Sequence, residues 1–306
     1  MKKKDDCLIK VKNEYLNFLK KEKIFYQSKE DKIKILKKIY IPMSFWIEKK
    51  YKEKGKTLIL GFSGGQGSGK TTIANILKII LRKFFKRKIY VTSIDDYYKT
   101  YVERKKMSEK KHHLFETRGV PGTHDMFFLK KFFKRLKNTK FKKILLPKFD
   151  KSNDDRLKRK YWYNVSKKPE IVILEGWCVG AKPQANPLIK KPINELEKYE
   201  DANLTWRSHV NEKLKREYKK IFAMIDFFIF LKIPNFNMVF KWRLLQEKKM
   251  KKRLKFGKKI MSYIEIKRFI MFYQRITLQM VKDLSKSASI VVFLKKNHQI
   301  EKILYR

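Results

Sequence analysis

The stretch Thr57-Leu58-Ile59-Leu60-Gly61-Phe62-Ser63-Gly64-Gly65-Gln66-Gly67-Ser68-Gly69-Lys70-Thr71-Thr72 changes character at its middle. Thr57–Ser63 is a short apolar run that ends in glycines, the pattern of a buried parallel strand. From Lys70 to about Phe85 the apolar spacing is helical. Between them, Gly64 to Thr71 fits G-x-x-x-x-G-K-[ST], placed after a strand and before a helix as its mechanism requires. Glycines there let backbone N–H groups converge on phosphate oxygens, and the helix N-terminus adds its positive dipole end. Lys70 is expected to reach the β- and γ-phosphates, and the Thr71 hydroxyl to ligate Mg²⁺, with Thr72 as a helper. Gly64, Gly65, Gln66, Gly67, Ser68, Gly69, Lys70, Thr71 and Thr72 are therefore the expected nucleotide-binding set. This loop alone does not separate a kinase from a GTPase, an ATPase or a motor.

Outward from this loop, strand-like and helical patterns alternate. Lys88–Ile94, Lys143–Leu146, Ile171–Leu174, Asp226–Ile233 and Ala288–Leu294 read as further strands, with helical stretches between most of them. Such alternation predicts an α/β fold: a doubly wound parallel sheet with helices on both faces and ligands at the carboxyl ends of its strands. Upstream, Ile9, Tyr15, Leu16, Phe18, Leu19, Ile33, Ile35, Leu36 and Ile39 recur at helical spacing, with Pro42 as a break. Residues 1–55 are thus expected to be a helical extension packed on a kinase domain of residues 56–306. The long polar segments 97–128, 147–168 and 181–210 are expected to wall the site, since connections of that length usually serve a function.

Acidic residues at strand ends narrow the chemistry. Asp95 and Asp96 follow the second strand in Ser93-Ile94-Asp95-Asp96-Tyr97-Tyr98, across the cleft from the γ-phosphate. A carboxylate there can orient an acceptor hydroxyl and take its proton, while the metal and Lys70 stabilise the transferring phosphoryl group. Asp95 is the favoured base, although an acidic pair that merely caps the next turn would look the same. Glu175 ends the strand Ile171–Leu174 in Leu174-Glu175-Gly176, where a residue that holds Mg²⁺ directly or through water belongs.

The chain has 306 residues, 43% of them apolar, enough to bury one large core with an appendage. Its 78 Lys+Arg against 30 Asp+Glu give a net charge of +48. That excess ordinarily suggests nucleic acid or an anionic membrane. Here the bases run the whole length from Lys2 to Arg306 with Lys in large excess, so a solvated surface is expected and no specific nucleic-acid partner. Cys7 and Cys178 cannot form a disulfide framework, which fits a reducing compartment. No apolar stretch approaches the ~20 residues of a membrane span, so a soluble, cytoplasmic protein is expected.

Taken together, Gly64–Thr72, SIDDYY (93–98), RGVPGTHD (118–125), PKFDKS (147–152), ILEGW (173–177), WRLLQE (242–247) and FYQRIT (272–277) resemble the D-glycerate 3-kinase family. That family lies in the phosphoribulokinase/uridine kinase/pantothenate kinase branch of P-loop kinases. Tyr40–Trp46 is similar to its bacterial members, and the resemblance covers about residues 38–280. It implies ATP and Mg²⁺, Asp95 as base, and a small-molecule acceptor, glycerate, held by the 118–125 and 147–152 loops. A carboxylate acceptor needs fixed cations, and those loops offer Arg118, His124, Lys148 and Lys151. Asp125 and Asp150 are expected to hold acceptor hydroxyls, with Asp96 and Tyr98 beside them. The branch also carries a lid, here expected at about 240–262, whose arginine reaches the ATP phosphates; Arg243 is the candidate and Arg253 a weaker one. One departure stands out. Where the family has a G-x-G-D-R-like stretch after PKFDKS, this chain has Asn153-Asp154-Asp155-Arg156. Two other readings stay open: the same chemistry on a nucleoside, a pantothenate-like molecule or another polyol, and a nucleic-acid-associated NTPase.

Overall fold

A computed structural model of the chain describes residues 2–24, 28–251 and 261–306. Its centre is a six-stranded sheet of β1 (Leu58–Gly64), β2 (Ile89–Ser93), β3 (Ile171–Gly176), β4 (Phe227–Lys232), β5 (Ile290–Leu294) and β6 (Ile300–Tyr305), in the order β6-β5-β4-β1-β3-β2. All neighbours are parallel except the edge pair β5 and β6. Register sets Ser63 beside Gly176 and Ser93 beside Glu175, so β1, β2 and β3 end together. The nucleotide loop and both acidic motifs therefore emerge on one rim, as sheets of this type require of a ligand site.

Alternation along each strand feeds two apolar layers. Leu58, Leu60 and Phe62 join Ile171, Ile173, Ile229 and Leu231 on one face, against α3 (Ile41–Lys54) and α4 (Lys70–Lys83). Ile59, Val172, Leu174 and Phe230 join the other, against α6 (Met126–Lys137), α7 (Thr205–Lys213) and α9 (Tyr263–Ser287). The N-terminal helix α1 (Lys2–Lys21) buries Cys7, Val11, Tyr15 and Leu19, a strict i, i+4 stripe, in the same layer as Ile73, Leu77 and Ile80 of α4. Ile9, read as part of that stripe, is on the opposite side and 77% exposed.

Four details differ from the sequence expectation. Pro42 does not break the helix: α2 (Lys29–Ile35) continues through a π-turn at Leu36–Tyr40 into α3, with Pro42 in its first turn. The wider π-turn absorbs the bond that proline cannot donate. Ile144–Leu146 is not part of the central sheet but pairs antiparallel with Tyr163–Val165 in a separate ribbon. Only three residues long and stopped by Pro147, it cannot extend a central ladder. The edge strand β6 carried no strong apolar run and was not expected. Finally, the segment 97–128 is not all loop: it contains α5 (Tyr101–Lys110), opened by a Thr100/Glu103 capping box. Among the described residues no helix is long and apolar enough to cross a membrane.

Candidate active site

The loop between β1 and α4 turns through Gly67 and Gly69, at φ of +76° and +89°, a region that side chains rarely adopt. A Cβ on Gly67 would also lie 2.8 Å from Trp242 Cβ on α8 (Asn237–Lys251). Trp242 stacks on His298 at 4.2 Å between centroids, and His298 Nε2 meets the Gly67 carbonyl at 2.9 Å. The loop is thus clamped from outside by α8 and the β5–β6 turn. Among the described residues, Ser68 Oγ and both amide atoms of Gln66 are buried without hydrogen-bond partners. Buried polar atoms are normally paired, so orphans in a glycine cradle fit a loop shaped to receive phosphate.

Lys70 Nζ donates to the Gly65 carbonyl at 3.0 Å. Burial lowers its pKa, while the carboxylates of Glu175 and Asp95 work against that shift. Thr71 Oγ1 donates to Glu175 Oε1 at 3.0 Å. Burial raises the Glu175 carboxyl, and Lys70 opposes the rise. A hydroxyl and one carboxylate oxygen are hard donors suited to Mg²⁺, which characteristically takes its remaining ligands from phosphates and water. Two protein donors would leave the other positions of such a cation to nucleotide and water; among the described residues no group of three or more His, Cys, Asp or Glu side chains converges on a metal position. Thr72 is half-buried in the next position of α4.

Across the cleft, Ser93 accepts the Asp95 N–H at 3.3 Å and so opens the short 3₁₀ turn itself. The acidic pair is not needed as a cap. Asp95 Oδ1 accepts from the Tyr98 hydroxyl at 3.0 Å, and Oδ2 accepts from Lys151 Nζ at 2.5 Å. Burial alone would raise the Asp95 carboxyl, but Lys151, with help from Lys70, holds it down at about 2. Its neighbour behaves oppositely. Asp96 is pushed up to about 6 by burial, partly offset by the Phe149 N–H that it accepts at 3.4 Å.

Backbone pairing brings the two expected acceptor motifs to this point. Asp125 N–H donates to the Tyr97 carbonyl at 2.6 Å and Lys99 N–H to the Thr123 carbonyl at 2.8 Å, with a bridge between Tyr98 and His124. His124 stacks on Tyr98 at 4.4 Å. It is not the cation expected from the sequence, because burial drops its pKa to about 3. Tyr218 accepts the Gly122 N–H at 3.0 Å, and its hydroxyl lies 2.6 Å from His124 Nδ1. With the Tyr218 oxygen already accepting, its own proton is the one left for Nδ1, an arrangement that calls for the Nε2–H tautomer; the buried Nε2 has no partner among the described residues.

Arg118 forms an ion pair with Asp154 and lies 5.5 Å over the Phe149 ring. Three other expected acceptor residues have partners within the protein. Asp125 caps α6 through the Phe127 N–H at 3.2 Å and meets Arg156 at 3.4 Å. Lys148 lies 5.4 Å over the Tyr163 ring. Asp150 accepts from the Ser152 N–H at 2.8 Å and Asn153 Nδ2 at 2.7 Å, closing its own turn. Arg243, expected at the phosphates, pairs with Glu247 one helical turn on, at 2.5 Å. Arg253 and residues 252–260 of the expected lid lie outside the described residues.

Arg104, to which the sequence pointed no role, is fully buried. It donates to the carbonyls of Glu116 and Asp154 and pairs with the Asp154 carboxylate at 3.0 Å. Arg156 donates to the Tyr98 carbonyl at 2.8 Å. The two arginines pin the 150–156 hairpin beside Asp95. A lone arginine in a lysine-rich helix gives no signal of this; only Arg156, inside the retained D-R pair, was marked by sequence. Asp154 itself has φ +53°. It occupies the place of the family's second glycine and keeps the left-handed turn, which Asp tolerates better than most residues.

Comparison with known proteins agrees with this geometry. The profile of the phosphoribulokinase/uridine kinase family matches residues 59–185. The chain is 32% identical over 236 residues to an uncharacterized kinase, mug58, of Schizosaccharomyces pombe, covering 74% of this chain and 82% of the other. It is 30% identical over 251 residues to a chloroplastic D-glycerate 3-kinase of Arabidopsis thaliana, 76% of this chain but 52% of the plant protein, about half its length. In fold it is similar to a D-glycerate 3-kinase structure from Cryptococcus neoformans, with TM-score 0.73, 22% identity, and 88% and 99% of the two chains covered. A kinase relative aligned over most of its length, on a sheet whose loop and acids converge at one rim, leads to one conclusion: the chain belongs to the phosphoribulokinase/uridine kinase family of P-loop kinases and is an ATP-dependent phosphotransferase.

Proposed function

We propose that this kinase phosphorylates a hydroxyl of glycerate, converting D-glycerate to 3-phosphoglycerate. The observation that carries the reading is the convergence on Asp95. Tyr98, Lys151 and the stacked His124 surround one carboxylate, with Lys70 near enough to influence it. An anionic hydroxy acid needs a cation for its carboxylate, a neutral donor for an oxygen, and a base for the reacting hydroxyl. Lys151, His124 Nε2–H and Asp95 offer those groups, and the plant relative named a D-glycerate 3-kinase supports the choice of acid.

In this reading Gly64–Thr72 bind the nucleotide phosphates, and Thr71 and Glu175 would hold a Mg²⁺ that, when bound, would neutralise phosphate charge. Lys70 leaves the Gly65 carbonyl for the transferring phosphoryl group. Asp95 orients the acceptor hydroxyl and accepts its proton, Tyr98 fixes the carboxylate, and Arg118 supplies positive potential near the acceptor. Residues 1–55 act as a scaffold on the outer face of α4. The test is ADP release with D-glycerate, glycerol, pantothenate, uridine and ribulose 5-phosphate in parallel. D-glycerate should give the largest kcat/KM, and no stimulation above the acceptor-free rate refutes the assignment.

A further inference from the structure

A carboxylate whose two oxygens both accept from donors, one of them an ammonium, is a weaker base than a free one. Both Asp95 oxygens are occupied, Oδ1 by the Tyr98 hydroxyl and Oδ2 by the Lys151 ammonium. The two donors differ in freedom. Tyr98 is buried under His124 and Phe149. The Lys151 side chain is 62% exposed at the tip of the Phe149–Asp150 and Asp155–Arg156 hairpin. Arg104 holds the Asp154 end of the turn and Arg156 the strand that follows it, so the backbone is fixed while the exposed lysine stem can swing. Arg118, the neighbouring cation, already has Asp154 as its partner.

We propose that Lys151 is a substrate-operated latch, which blocks the Asp95 carboxylate until an acceptor bearing its own carboxylate draws the ammonium away. The proposal rests on Asp95 as base and on an anionic hydroxy acid as acceptor. Exchanging one carboxylate for another leaves the lysine paired throughout, so the swap costs little, and a partly exposed ion pair is weak enough to exchange. With Oδ2 released, the acceptor hydroxyl proton passes to Asp95. The acceptor oxygen forms its bond to the γ-phosphorus as the bond to the β,γ-bridging oxygen breaks, and ADP leaves. Water and neutral polyols bring no carboxylate, so they leave the latch shut. Lys151 thus sets specificity twice, by holding the acid and by withholding the base from everything else.

The test compares the full-length wild type with Lys151→Met and Lys151→Arg, measuring ADP release with no acceptor, with glycerol and with D-glycerate. For Lys151→Met, kcat/KM on D-glycerate should fall by about 10–100-fold, the range of a lost charge-assisted hydrogen bond. ATP hydrolysis without acceptor should rise several-fold, and the preference for D-glycerate over glycerol should collapse. Lys151→Arg should restore part of that preference. Loss of D-glycerate turnover with acceptor-free hydrolysis at or below the wild-type rate overturns the latch and leaves Lys151 as a simple clamp. If wild-type enzyme ignores D-glycerate, the glycerate assignment fails, while the acceptor-free arm still decides whether Lys151 restrains Asp95.

Discussion

The Thr71 hydroxyl and Glu175 Oε1 are joined at 3.0 Å, linking the first turn of α4 to the end of β3 across 104 positions of sequence. Strand register carries Glu175 to the rim, and the loop glycines deliver Thr71 to it. If the pair holds Mg²⁺, Glu175→Gln should lower turnover by about 10²-fold or more, because the metal stabilises charge on the transferring phosphoryl group. Titrating Mg²⁺ against ADP release should show a much higher concentration requirement in the variant. An unchanged Mg²⁺ profile refutes the assignment.

Asp95→Asn tests the base directly. Asparagine keeps the shape and can still accept from Tyr98, so nucleotide binding, followed by fluorescence of an ATP analogue, should stay near wild type. Turnover on D-glycerate should fall by about 10²–10⁴-fold, the usual contribution of a positioned base. Normal turnover in this variant rules out Asp95.

Much of this pairing was legible before any fold was known, because its signals are local. A strand, a glycine loop, a lysine and a hydroxyl lie in sequence order, and acids at strand ends fall on one rim by topology alone. The acceptor side was legible as a set of loops but not as roles. Asp125, Lys148 and Asp150 have the right chemistry, and each also engages a cap, a ring or its own turn, contacts that the sequence does not reveal. His124 looked like a cation because its sequence does not reveal that Tyr98 and Tyr218 enclose it. The Ile144–Leu146 run had the composition of a central strand, but its partner Tyr163–Val165 is specified only by tertiary pairing.

The neighbouring carboxyl predicts a pH effect of its own. Burial raises Asp96 from 3.8 to about 6, so between those values the folded protein holds a proton that the unfolded chain has released. Stability from this group is fully present below about pH 4 and is lost as pH rises through about 6. Removing the ionisable group should therefore help more as pH rises. In thermal melts, the advantage of Asp96→Asn over wild type should grow between pH 4 and 7, by about 2–3 kcal/mol. A difference that is flat with pH, or larger at pH 4, contradicts the raised value.

Tyr218 fixes the tautomer of His124 without approaching Asp95 in sequence or by any direct hydrogen bond. Replacing it by Phe removes the proton given to Nδ1 and leaves the Gly122 N–H without its acceptor. A buried group left unpaired costs about 1–3 kcal/mol, so Tyr218→Phe should lower thermal stability measurably. If His124 Nε2–H faces the acceptor, the variant should also raise KM for D-glycerate while the ATP KM stays unchanged. Equal changes in both constants point instead to a general loosening of the fold.

Asp154 offers a test of the hairpin that the sequence alone marked as anomalous. Its backbone holds φ +53°, while its carboxylate serves Arg104 and Arg118. Two substitutions separate these contributions. Asp154→Gly keeps the turn easy and removes the carboxylate; Asp154→Ala removes the carboxylate and adds the strain of a Cβ at positive φ. Both leave Arg104, which is fully buried, without its charged partner, although the carbonyls of Glu116 and residue 154 still accept from it. Melting temperatures should follow wild type above Asp154→Gly above Asp154→Ala, with the last step worth about 1 kcal/mol. Because the hairpin carries Lys151, both variants should raise KM for the acceptor several-fold and leave ATP binding intact. If Asp154→Gly is as stable as wild type with an unchanged acceptor KM, backbone conformation alone sustains the hairpin and the two arginine pairs are dispensable.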